Sequence, residues 1–85
     1  ALNSITKQLA VLTAKDKIRI NAVLFAGVES KSQNSEFINK YKTRIPIGRF
    51  MKNNEIIEPI LFLISSKNSY MTGTLLKVDG GYTSI

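Results

Sequence analysis

The sequence predicts an α/β fold built on a parallel sheet. Two stretches of helical periodicity each run ahead of a short segment of strand-forming residues. The first of those segments, "INAVLF", rises in apolarity along its length, as a strand buried on both faces does. A helix leading into such a strand is half of a β-α-β unit.

Residues 1–14 read as the first helix, because Leu2, Ile5, Leu9 and Leu12 recur at helical spacing. The chain opens on Ala1-Leu2, already inside that stripe, and no capping side chain precedes it. The expectation is a helix that begins upstream, in a longer protein. Lys15-Asp16-Lys17 breaks the pattern, and residues 17–24 read as a strand in which Ile18, Ile20, Ala22 and Leu24 alternate with Arg19, Asn21 and Val23. Residues 25–50 form a long polar connection with a short amphipathic piece around Phe37, Ile38 and Tyr41, closing on "RIPIGRF". Connections of that length in a small domain are usually lids or binding loops. Residues 53–65 read as the second helix, capped by Asn53 or Asn54, with Glu55 in the first turn and Pro59 close behind it. A strand at 74–79 and a glycine-rich tail at 80–85 end the chain. Two strands make a marginal sheet, so more of it is expected outside these 85 residues.

Composition narrows the chemistry. The hydrophobic share is 44%, that of a packed domain. There is no cysteine and no histidine, so no disulfide framework, thiolate metal site or histidine base can come from this chain. No metal is expected. The net charge of +6 comes from scattered lysines and arginines with one cluster at Lys40, Lys42 and Arg44. A solvated face explains it best, an anionic substrate being the sharper reading. A nucleic-acid partner is not expected, since no platform exists beyond Lys40-Tyr41-Lys42. Nor is a membrane, since no apolar run approaches the roughly 20 residues a span needs. A cytoplasmic location is the default expectation.

The chain resembles the C-terminal third of a short-chain dehydrogenase/reductase. "ALNSITKQLA" is similar to the helix after that family's Tyr-x-x-x-Lys pair, and "IRINAV" to its R-V-N-A-V strand. "PIGRF" resembles the P-x-G-R segment after the substrate loop, and "NEIIEPILFLISSKNSYMTGTLLKVDGGY" the family's ending. Their order and spacing, over nearly the whole chain, carry the resemblance. It implies a Rossmann-type, doubly wound parallel sheet with NAD or NADP lying across the strand ends. It also implies hydride transfer to or from a small-molecule carbonyl or alcohol, in a homodimer or homotetramer. The proton-transferring tyrosine and its lysine would lie ahead of Ala1, so no catalytic residue is assigned here and the chain alone is expected to be inactive.

The resemblance also implies a cofactor-binding turn at Phe25, Ala26, Gly27, Val28 and Ser30. The family has P-G-x-V-x-T there, with backbone groups at the V position pairing with the nicotinamide carboxamide and the T hydroxyl adding a bond. Phe25 and Ala26 replace the proline and the first glycine. If Ala26 took a positive φ, the turn would be strained. Phe25 either lies beside the nicotinamide or packs in the core. Phe37, Ile38, Tyr41 and Phe50 are the candidate substrate-loop residues. Glu55 and Glu58 share a helix face, but a helix N-terminus accounts for Glu55 better than catalysis does. Tyr70 and Tyr82 lack a lysine four residues on. A non-catalytic oligomerisation or binding module on the same fold is the alternative.

Overall fold

The computed structural model describes residues 1–28 and 34–84. Helix α1 spans Leu2–Thr13, strand β1 Ala22–Phe25, helix α2 Ser35–Lys42, helix α3 Ile57–Ile64 and strand β2 Leu75–Val78. Three 3-10 turns lie at Ala14–Asp16, Asn53–Ile56 and Tyr82–Ser84. The strands pair in parallel with Ala22 opposite Leu75 and Phe25 opposite Val78, so the chain is α/β on a parallel pair.

Helix α1 packs through its small residues. Thr6 and Ala10 are buried, and a side chain added at Gly73 would sit 3.4 Å from Ala10 Cβ. Small groups on both sides allow that close approach. The stripe of Leu2, Ile5, Leu9 and Leu12 therefore faces away from this sheet, with Leu12 67% exposed.

The strand expected over 17–24 is only Ala22–Phe25. The four residues before it run beside 71–74 but are held largely by side chains. Asn21 donates to the Met71 carbonyl at 3.0 Å and accepts the Thr74 N–H at 3.0 Å, while the Ile20 N–H donates to Thr72 Oγ1. Arg19 spreads its fork over the Met71, Leu63 and Ser65 carbonyls at 3.1 to 3.2 Å. The last two belong to the end of α3, where free carbonyls need donors and the helix dipole favours a cation. These side-chain bonds replace ladder bonds, so regular pairing starts only at Ala22.

The second helix is divided where Pro59 requires it. Proline has no N–H to return to the carbonyl four residues back. A 3-10 turn at Asn53–Ile56 leads in, and α3 starts at Ile57, which leaves Pro59 in its first turn. Neither asparagine is the cap, because both lie inside the 3-10 turn. The turn starts after Lys52, whose backbone N–H donates to Glu55 Oε1 at 2.9 Å. The connection 25–50 holds a true helix, α2, and the tail folds into the last 3-10 turn. Among the described residues no helix is long and apolar enough to cross a membrane.

Candidate functional site

Both strands end on the same side, and a glycine follows each within two residues: Gly27 after β1 and Gly80 after β2. Both have positive φ, +72 and +62. Ile45, buried at 5% exposure, sits between them. A Cβ on Gly27 would lie 3.2 Å from Ile45 Cδ1, and one on Gly80 3.0 Å from Ile45 Cγ2 and 2.8 Å from Ile47 Cγ2. The segment Ile45–Ile47 is thus wedged across the carboxyl ends of the strands, and the Ile47 N–H donates to the Gly80 carbonyl at 3.0 Å.

Ala26 keeps a negative φ; among the described residues Lys17 alone of the non-glycines is positive. Gly27 takes the left-handed position, so losing the family's first glycine does not strain the turn. The Gly27 carbonyl accepts the Met51 N–H at 2.7 Å, and Val28 bridges Met51 in parallel. Residues 50–51 are held in turn from the 3-10 turn at Asn53–Ile56. Arg49 grips Glu55 through both nitrogens, at 2.7 and 3.0 Å, and reaches the Phe50 carbonyl at 3.2 Å. That pairing, with the Lys52 N–H, lowers the Glu55 carboxyl from an ordinary 4.5 to about 2. Glu55 is therefore a structural anion rather than half of a carboxylate pair. A carboxyl lowered on folding stabilises above its ordinary pKa, and the effect is lost as pH falls through the folded value. The urea midpoint gap between the parent protein and Glu55→Gln is expected to hold above about pH 5 and close towards about pH 2. A gap independent of pH would contradict this role.

Helix α2 brings in the aromatic groups. Asn34 caps it, accepting the Phe37 N–H at 2.7 Å, with Glu36 in the first turn and Lys40 and Lys42 in the last. That charge order suits the helix dipole and accounts for both lysines without a ligand. Phe37 and Tyr41, one turn apart, face each other with centroids 4.5 Å apart, and Phe37 stacks parallel to Phe50 at 6.4 Å. The Arg44 guanidinium lies 5.1 Å from the Tyr41 centroid.

These pieces enclose a groove of about 320 Å³ walled by Ala26, Gly27, Val28, Phe37, Tyr41 and Phe50, together with Ile45 and Tyr82. Six of the nine residues singled out in the sequence thus meet at one place. Phe25 does not line it; its backbone pairs with Val78 inside the sheet. Ile38, beside Phe37 on α2, is not among the lining residues either, because adjacent helical positions face different directions. Ser30 lies outside the described residues. Ile45 and Tyr82 are the additions. Pro46 and Gly48 marked the loop around Ile45 as a turn, but Tyr82 has no local signal beyond the glycines before it. Among the described residues no group of three or more histidine, cysteine, aspartate or glutamate side chains can hold a metal ion.

Known proteins share this fold. A family model described as enoyl-(acyl carrier protein) reductase matches residues 1–83. The chain is 37% identical over 87 residues to L-xylulose reductase of Bos taurus, covering 96% of this chain and 36% of that protein. It is 38% identical over 86 residues to a chloroplastic tropinone reductase homolog of Arabidopsis thaliana, covering 95% of this chain and 27% of the homolog. A short chain dehydrogenase from Leptospira borgpetersenii, solved with bound NAD+, superposes with a TM-score of 0.88 at 36% identity, over 95% of this chain and 32% of that one. A short chain dehydrogenase family protein from Francisella tularensis does so with a TM-score of 0.89 at 31% identity, over 99% and 40%. The chain belongs to the short-chain dehydrogenase/reductase family, and its fold is that family's Rossmann-type α/β sheet. It spans between 27% and 40% of the length of these four proteins.

Proposed function

We propose that the protein carrying this chain is an NAD(P)-dependent oxidoreductase that interconverts a small carbonyl compound and its alcohol. In this reading the chain is the C-terminal part of one domain and supplies the nicotinamide-carboxamide turn, the substrate loop and an oligomer interface. The observation that carries the reading is the meeting of the β1 turn and the aromatic loop residues in one groove at the carboxyl ends of a parallel pair, where open α/β sheets bind their ligands. A bound nicotinamide cofactor supplies or accepts the hydride. This chain's residues bind and orient. The bare Gly27 lets the turn close on Ile45 without a clash, and the bond from Met51 fixes the Gly27 carbonyl. Val28 follows with a backbone donor and acceptor, the pair that a flat carboxamide requires. Ser30 adds its hydroxyl. Among the described residues the walls carry no charged side chain, which suits exclusion of water from the reacting face.

The chain alone holds no proton donor in this reading and turns nothing over. Ile57, Leu61, Phe62 and Ile64 are half or more exposed on α3 or nearly so, which supports a homodimer or homotetramer formed through that helix. The relatives named as reductases and dehydrogenases favour turnover over a purely structural module. The test is a titration of the protein with NADH and with NADPH, followed by their fluorescence. Saturable binding of at least one, in the micromolar range typical of such sites, is expected. A protein that binds neither contradicts the proposal.

A further inference from the structure

We propose that Tyr82 is a specificity-determining wall of this groove, selecting carbonyl substrates that carry a flat apolar group; this rests on the oxidoreductase reading above. The tail is built to hold that ring in place. Asp79, buried at the end of β2, accepts the Gly81 N–H at 2.9 Å, the Thr83 N–H at 3.1 Å and the Thr83 hydroxyl. Its carboxyl is held below the usual range chiefly by the Thr83 hydroxyl and then by the Gly81 N–H, so these bonds are made to the anion. Gly81, at φ +90, packs against Pro46, where an added Cβ would lie 3.0 Å from the ring. Two backbone bonds, Tyr82 N–H to the Asp79 carbonyl and Ser84 N–H to the Gly81 carbonyl, complete the 3-10 turn.

A turn fastened at so many points leaves Tyr82 little choice of direction. Its side chain lines the groove alongside Val28, Tyr41 and Phe50 and is 44% exposed, so part of its surface is open to a ligand. Among the described residues every lining side chain is uncharged. A flat apolar group beside the carbonyl gains both burial and aromatic contact in such a slot, whereas a methyl group gains little. The charged neighbours Lys40 and Arg44 are engaged on the Tyr41 ring and are not among the lining residues.

The experiment uses the protein carrying this chain, NADH or NADPH, and two esters with the same reacting ketone. Ethyl benzoylformate bears a phenyl group where ethyl pyruvate bears a methyl. The KM for ethyl benzoylformate is expected to rise about tenfold in Tyr82→Ala while that for ethyl pyruvate stays within about twofold. Tyr82→Phe keeps the ring and is expected to behave as the parent protein. Equal shifts for both esters, or no shift for either, overturn the inference. So does a protein that binds NADH but reduces neither ester, because the substrate class is then wrong. Failure to bind either dinucleotide sinks the underlying reading itself, which the titration separates from the other outcomes.

Discussion

Replacing Gly27 with valine is expected to weaken dinucleotide binding at least tenfold. Gly27 sits at φ +72, a conformation a β-branched residue adopts only under strain. Such strain costs about 1–3 kcal/mol. The added Cβ would also stand 3.2 Å from Ile45 Cδ1 and 3.6 Å from Phe50 Cδ1. Ile45 is buried and already wedged against Gly80, so it has little room to withdraw. The turn must therefore move, and Val28 moves with it. A fluorescence titration of the variant with NADH reads the loss. Circular dichroism and a urea curve on the same sample separate a moved turn from an unfolded protein. Gly27→Ala, which lacks the branched methyls, is the milder companion. Unchanged affinity in Gly27→Val would remove this turn from the site.

Gly80→Ala is expected to cost about 2–4 kcal/mol of stability. Two effects coincide there. The φ of +62 disfavours any side chain, and the new Cβ would lie 2.8 Å from Ile47 Cγ2 and 3.0 Å from Ile45 Cγ2. Relief requires the Ile45–Ile47 segment to lift off the strand ends, which also breaks the bond from the Ile47 N–H to the Gly80 carbonyl. A fall in the urea midpoint without a change of slope is the expected reading. A stability within about 0.5 kcal/mol of the parent protein would mean that the wedge is not rigid.

Helix periodicity and the apolar run at 20–25 were enough to read the α/β class, because both are local patterns. The parts that escaped depend on distant partners. Strand β1 is short because Arg19 and Asn21 spend their side chains on carbonyls some fifty residues away, and no local pattern records that. The buried face of α1 is Thr6 and Ala10 rather than the leucine stripe, because Gly73 admits only a small-residue contact. Asn34 was legible in principle: an asparagine three residues ahead of Phe37 is an ordinary cap. In the candidate site, the turn and three aromatic residues could be named from the family resemblance. Ile38 and Phe25 do not line the groove, which follows from the helix face and the sheet register rather than from any local pattern. Tyr82 emerged only when Asp79 folded the tail back over the groove.

In the proposed oxidoreductase the turn after β1 holds the nicotinamide carboxamide. The deciding measurement is the structure of the protein with NAD+ bound. The carboxamide is expected within hydrogen-bonding distance of the Val28 backbone, with the nicotinamide face turned towards the groove lined by Tyr41 and Tyr82. A carboxamide bound elsewhere, with Val28 unengaged, would contradict it.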